Sequence, residues 1–256
     1  MSAELEEEGN TMEPEKVVSR EDWLAARKAH LEREKKLTRL QEQVMAERRQ
    51  LPWVRIEKEY RFESEQGPKS LVDLFEGHEQ LIVYHFMFAP GWQEGCDGCS
   101  FLADHFDGPN RHLKHHDVSL VAVSRAPLAE FLPFKRRMDW HFEWVSSHGC
   151  DFNYDFGASF TPEQVAQGEP LYNFGTTPYL AEDLHGVSVF VREGDAVYHS
   201  YSTYARGGDV LLGAHHFLDM TPKGRNEQST MDWVRLHDRY EETPEEKEKS
   251  HDCCHS

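Results

Sequence analysis

The sequence has no apolar run long enough to cross a bilayer, which takes about 20 residues. Its longest, residues 81–90, is broken by His85 and reads as a buried strand. The N-terminus is acidic and carries no apolar stretch, so it does not read as a secretory signal. Basic residues are in the minority, 28 Lys and Arg against 46 Asp and Glu, for a net charge of -18. That balance opposes binding to a phosphate backbone, so neither nucleic acid nor membrane is expected as a partner. The motifs G-x-x-x-x-G-K-[ST], G-x-G-x-x-G and G-x-S-x-G are all missing, which removes support for phosphate-loop, dinucleotide-binding and esterase readings. Cysteine is scarce. There are five, an odd number, with two tight pairs at 96/99 and 253/254. That usage excludes a secreted disulfide scaffold and suits redox or metal chemistry in a cytoplasmic protein whose thiols stay reduced.

What is present has a clear order. Residues 1–15 are acidic with no hydrophobic period, which predicts a disordered end. Residues 19–50 read as one long helix: Ser19 and Asp22 form a capping signal, and nothing breaks the run before Pro52. Leu24, Leu31, Leu37, Leu40 and Val44 recur at helical spacing among mixed charges. This fits a packing helix with one solvated face; a dimerisation or partner arm is the sharper reading. Val54, Ile56, Tyr60 and Phe62 alternate with charged residues and predict one strand. Gly67-Pro68 marks a turn, and residues 70–75 a short helix closed by Gly77.

Leu81-Ile82-Val83-Tyr84-His85-Phe86-Met87-Phe88 is almost continuously apolar, as strands buried on both faces of a parallel sheet are. Residues 119–124 repeat the pattern and 142–145 supply a third strand. Helical spacing lies between them, from the first cysteine pair to about Phe106 and again through Leu128, Phe131, Leu132 and Lys135. This β-α-β-α-β order predicts a parallel sheet with covering helices. Residues 148–182 form a long connection, of the kind that carries function or an insertion. Residues 187–191 and 196–201 flank Glu193-Gly194-Asp195, a hairpin signal. A closing helix is expected in 207–219, a short amphipathic piece around Trp233, and a disordered tail over 241–256. The domain plan is therefore 1–15 as acidic end, 16–51 as helical extension, 52–224 as the α/β domain and 225–256 as a C-terminal segment.

Cys96 and Cys99 follow a buried strand and open a helix. Unpaired N–H groups and the positive dipole end stabilise an anion there, and a thiolate is the reactive form of cysteine. The spacing lets the second thiol reach the first. Cys96 is then the attacking thiol and Cys99 the resolving one. Glu94 and Asp97 flank Cys96 and oppose a second negative charge.

Other residues have two readings each. Arg125 sits where a parallel strand ends, and would hold a substrate anion, favour a thiolate, or form a salt bridge. His85, inside the apolar strand, is either a satisfied core histidine or a proton shuttle to Cys96. His112, His115 and His116, and the pair His215 and His216, have ligand-type side chains without an obvious carboxylate or cysteine to complete a metal set. The tail His251-Asp252-Cys253-Cys254-His255 packs soft ligands into five residues and reads as a solvated tail, a thiol arm or a metal site.

Long stretches of the chain resemble one family. They include Val18-Ser-Arg-Glu-Asp-Trp-Leu-Ala-Ala-Arg27, Leu51-Pro-Trp-Val-Arg55, the strand Leu81 to Phe88, and Gly95-Cys-Asp-Gly-Cys-Ser-Phe101. Val121-Ala-Val-Ser-Arg-Ala-Pro127, Asp151-Phe-Asn-Tyr-Asp-Phe-Gly157, Ser188-Val-Phe190, His199-Ser-Tyr-Ser-Thr-Tyr-Ala-Arg206 and Leu218-Asp-Met-Thr-Pro222 complete the set. Over about residues 16–240 the chain resembles the bacterial and fungal domain-of-unknown-function family number 899, grouped with thioredoxin-like and peroxiredoxin-type proteins. The resemblance implies a thioredoxin-like central sheet with flanking helices, plus a long N-terminal helix. Where peroxiredoxins carry a Thr or Ser and a Pro ahead of the cysteine, this chain has Gln93 and Ala89. Where thioredoxins carry Trp directly before the first cysteine, Trp92 stands four residues earlier, and where they carry a proline just before the strand facing the cysteines, this chain has Leu184-His185-Gly186 before Val187.

These readings converge on a thiol–disulfide oxidoreductase acting through Cys96 and Cys99 rather than a peroxidase. It would need no cofactor, only a thiol or disulfide substrate and an external reductant. A metal-binding or metal-delivery protein using the pair with a histidine such as His85, and a non-catalytic thioredoxin-like interaction module, are the alternatives. A homo-oligomer through the N-terminal helix is the expected assembly.

Overall fold

A computed structural model describes residues 16–168, 172–176 and 181–240. The expectations for 1–15 and for the tail with Cys253 and Cys254 lie outside the described residues. The chain divides into two compact units, Met1–Leu51 and Pro52–Ser256. The first contains helix α1 (Arg20–Arg48), whose Ser19 cap accepts a hydrogen bond from the Asp22 N–H at 3.1 Å. Arg27 pairs with Glu34 and Lys35 with Glu32 along it.

The second unit is built on one sheet. Its strands are β1 (Val54–Arg55), β2 (Arg61–Ser64), β3 (Gly67–Ser70), β4 (Gln80–His85), β5 (Val118–Ser124), β6 (Glu143–Ser146), β7 (Gly186–Glu193) and β8 (Ala196–Tyr204). The order across the sheet is β1-β8-β7-β4-β5-β6-β2-β3. β4, β5 and β6 are parallel, as expected, and β7 runs antiparallel against β4. Helices α2 (Asp97–Ala103) and α3 (Asp107–His115) connect β4 to β5, and α4 (Leu128–Arg137) connects β5 to β6. The long connection holds α5 (Phe152–Asp155), α6 (Pro162–Ala166) and a broken turn, α7 (Tyr172–Gly175); α8 (Gly213–Leu218) follows the β7–β8 hairpin. A β-α-β-α-β run with the cysteines opening its first helix, closed by an antiparallel hairpin and a helix, is a thioredoxin-like α/β fold.

The apolar reading of β4 is explained by its neighbours. Leu81 and Val83 enter one core with Val121, Val123 and Phe190, while Tyr84 and Phe86 enter the other with Ala122 and Trp144. Both faces are buried, so successive side chains are apolar on either side of the pleat.

Several expectations are corrected. The alternation from Val54 to Phe62 is two strands, not one: β1 pairs with β8, while β2 pairs with β6 and β3. Between them Tyr60 packs edge-on against Phe152 at 5.1 Å and donates to Asp155 at 2.8 Å, which takes the chain off the ladder. The turn placed at Gly67-Pro68 falls two residues earlier, at residues 65–66. Pro68 sits in β3 at the sheet edge, where a missing N–H costs no ladder bond. Residues 70–75 are not one helix: Ser70 ends β3 and only Asp73–Phe75 form a 3-10 turn. The helical spacing expected to end near Phe106 is followed directly by a further helix, α3, which carries Gly108-Pro109 in its first turn, where a proline's absent N–H has no helical partner to lose. The expected closing helix over 207–219 is a 3-10 segment, Ala205–Leu211, followed by α8. Residues 225–240 hold no α-helix; Val234 and Leu236 are nonetheless buried in the same core as Cys99. Among the described residues no helix is long and apolar enough to cross a membrane.

Candidate functional site

β4 carries the chain to the site. The strand ends at His85, Phe86 continues it by donating to the Val123 carbonyl at 2.9 Å, and the loop then turns back to start α2. Gly95 sits where no side chain fits. A Cβ there would lie 2.6 Å from Phe86 Cε1 and 2.9 Å from Phe134 Cε1, both buried rings. Gly95→Ala is expected to destabilise the fold by about 1–3 kcal/mol and to displace Cys96. Chemical denaturation, with the pH midpoint of Cys96 alkylation read alongside, checks this.

Cys96 is the residue immediately before α2 and Cys99 lies in its first turn. Both are free thiols, Cys96 half-buried and Cys99 buried. Cys96 is pulled down to about 7. The Cys99 thiol, hydrogen-bonded to it, is the main cause, helped by the N–H groups of Cys99 and Gly98 and opposed by burial and by Asp97. Cys99 moves the opposite way: burial, then the bond and charge of Cys96, raise it well above an ordinary thiol. One thiol is thus favoured as thiolate at neutral pH, and the other holds its proton against it.

Two of the residues around the pair were not singled out in the sequence. Tyr84, fully buried beneath the pair, hydrogen-bonds the Cys99 sulfur, as does the Met87 N–H. The signal was available, since a tyrosine hydroxyl in a strand buried on both faces needs a partner. Met231 lies against Gly98: its sulfur is 3.4 Å from where a Gly98 Cβ would stand. Glu94, expected to oppose a Cys96 thiolate, is instead bound by Arg137 and Arg239, which offsets its charge. Asp97 does oppose the thiolate, as expected.

The remaining candidates are not brought to the cysteines. His85 projects to the opposite face, stacked on Phe152 at 5.5 Å. Its Nδ1 meets Asn153 Oδ1 at 3.2 Å and its Nε2 meets Ser188 Oγ at 2.9 Å. It is a satisfied core histidine, and neither the proton shuttle nor the metal set built on it has this geometry. Arg125 is committed to Asp183 through Nε at 3.0 Å and Nη2 at 2.5 Å, with Tyr154 and Glu182 beside it. Of the readings offered for it, the salt bridge is the one observed. His112 and His115 lie along α3, and His215 is buried while His216 is exposed. Among the described residues no group of three or more His, Cys, Asp or Glu side chains could hold a metal ion.

Solved structures give low-similarity matches. A peroxidoxin BcpB from Mycobacterium tuberculosis is 15% identical, with a TM-score of 0.41 over 61% of this chain and 90% of that one. A putative protein disulfide isomerase from Bacteroides thetaiotaomicron is 14% identical, with a TM-score of 0.39 over 69% and 94%. Thioredoxin peroxidase I from Plasmodium yoelii is 14% identical, with a TM-score of 0.39 over 70% and 97%. No curated protein matches the sequence. A family model, in contrast, matches residues 12–240, nearly the whole of the chain. The chain belongs to the family described as bacterial protein of unknown function (DUF899).

Proposed function

We propose that the protein is a thiol–disulfide oxidoreductase in which Cys96 attacks and Cys99 resolves. The observation that carries this reading is the placement of two free thiols at the start of one helix, Cys96 immediately before α2 and Cys99 buried in its first turn, which favours Cys96 as the thiolate. The Cys96 thiolate attacks one sulfur of a substrate disulfide and expels the other as a thiolate. A mixed disulfide forms at Cys96. Cys99 then loses its proton and attacks Cys96 Sγ, forming the Cys96–Cys99 disulfide and releasing the second substrate thiolate. The substrate gains two electrons and two protons in all. A small dithiol reductant returns the pair to its starting state. Tyr84 and the Met87 N–H support the second step by hydrogen-bonding the Cys99 sulfur as it ionises.

The test is the pH dependence of Cys96 alkylation by iodoacetamide, followed on the Cys96 peptide by mass spectrometry. In the wild type the rate rises with pH through a midpoint near 7. In Cys99→Ser the midpoint moves up, because the largest lowering cause is weakened. Cys96→Ser abolishes disulfide exchange, and Cys99→Ser retains the attack but accumulates the mixed disulfide. A wild-type midpoint at an ordinary thiol value, with no exchange, refutes the reading.

A further inference from the structure

We infer that residues 225–240 form a built-in size filter over Cys96, so that the pair exchanges with small disulfides and not with disulfides of folded proteins. This rests on the oxidoreductase reading and assigns its substrate class. The segment crosses the cysteine helix and is fastened on both sides of it. Before the cysteines, Arg239 binds Glu94, and Asp238 binds Arg137 at 2.7 and 3.0 Å. After them, His237 meets Asp104 at 2.7 Å and Trp233 packs edge-on against Phe101 at 5.5 Å. Val234 and Leu236 are buried beneath.

Met231 is the element nearest the chemistry. A Cβ built on Gly98 would meet its sulfur at 3.4 Å and Cys96 Sγ at 3.9 Å, so the thioether and the reactive thiol flank the same backbone point. Met231 holds a left-handed backbone, φ 62°, which a methionine adopts only where its surroundings require it. The requirement is visible: its N–H donates to Glu227 at 2.8 Å, and the Asp232 carboxylate accepts from the N–H groups of Gln228 and Ser229. The turn is built to present this side chain.

The consequence is steric. A folded protein must lay a surface around its own disulfide against the ground beside Cys96, and on the Gly98 side Met231 already occupies that ground. A small disulfide needs only a path to one half-buried sulfur. Its reduction balances: the disulfide becomes two thiols as the Cys96–Cys99 dithiol becomes a disulfide. Met231 is therefore a specificity-determining residue, and the ion pairs to Glu94 and Arg137 hold the filter shut.

The experiment compares access first and exchange second, in the full chain. Cys96 alkylation is followed by peptide mass spectrometry with iodoacetamide and with a maleimide carrying a long polyethylene glycol chain. Wild type, Met231→Ala and the double variant Asp238→Asn/Arg239→Gln are compared. In the wild type the bulky reagent lags far behind the small one. In the double variant the gap narrows by about tenfold, the range open to two partly exposed ion pairs. Met231→Ala narrows it without changing any charge. In Met231→Ala the iodoacetamide rate stays within about twofold of wild type, which separates gating from a change in thiol reactivity. In the double variant the bulky-reagent rate is divided by that variant's own iodoacetamide rate, because Arg239 also offsets Glu94 beside Cys96. Exchange is then measured with hydroxyethyl disulfide and with insulin as the protein disulfide; Met231→Ala raises the second rate and leaves the first, and the double variant raises the ratio of the second to the first. Equal access for both reagents in the wild type, or a gap that neither variant narrows, overturns the filter. A Cys96 that is shielded yet exchanges with neither disulfide overturns the oxidoreductase reading and the substrate class with it, while the alkylation ratio still reports the shield.

Discussion

Trp144→Ala lowers the stability of the Pro52–Ser256 unit by about 3–5 kcal/mol, the range for removing a fully buried aromatic. Trp144 is 1% exposed and sits where β6 meets α4. Its ring is 4.5 Å from Phe86 and stacked on Phe131 at 4.6 Å, and its indole N–H donates to Ser124 Oγ at 2.9 Å. The truncation leaves a cavity and a buried hydroxyl with one partner fewer, and both effects run in the same direction. The damage reaches the site through Phe86, whose other side closes on Gly95. Trp144→Phe retains most of the packing, loses the indole bond, and costs less, about 1–2 kcal/mol. Urea denaturation of both variants measures the difference. A loss below that of Trp144→Phe for the alanine variant contradicts this account of the core.

The second large effect is acid lability above the carboxylate range. Burial pushes His85 down to about 4, and His185, His199 and His215 shift in the same direction for the same reason. In the unfolded chain a histidine titrates near 6.5. Above that pH His85 is neutral in both states and its contribution is fully present. As the pH falls from 6.5 toward 4, the unfolded chain binds the proton first and stability falls. For His85 alone the loss by pH 4.5 is about 2–3 kcal/mol. Asp73, Asp219 and Asp238 are held below the ordinary aspartate value and add their losses only at lower pH. Denaturation midpoints at pH 7 and pH 4.5 should therefore differ clearly in the wild type and less in His85→Asn. A wild-type midpoint that is flat across this window excludes His85 as a buried neutral base.

The sequence was readable where one physical cause dominated. Burial on both faces made β4 and β5 legible as apolar runs, and a cysteine pair straight after such a run located the site. It was less readable where a pattern is shared by two structures. Period-two alternation from Val54 to Phe62 is the same for one strand as for two strands at different places in a sheet. Gly108-Pro109 has the composition of a breaker and the position of a helix start. The rest depended on partners distant in sequence. Arg125 meets Asp183, 58 residues on, and Glu94 meets Arg239, 145 residues on. No local pattern shows that two arginines cancel the charge beside Cys96. The same distance hid Met231, which reads alone as an unremarkable residue in a polar segment.

The two strands at the start of this unit also fix the curvature of the sheet. β1 is at one end of the strand order and β2 is six places away. At ordinary strand spacing a flat sheet would separate them by about 29 Å. Arg55 and Arg61 are joined by six peptide links, which reach about 22 Å when fully stretched. The connection is therefore shorter than the flat width it has to cross, and it acts as a bowstring. The sheet must bend toward the Phe152 face for both ends to pair at once. Lengthening this short tether, or unseating Tyr60 from Phe152, would relax the bow and flatten the platform from which the cysteine loop hangs.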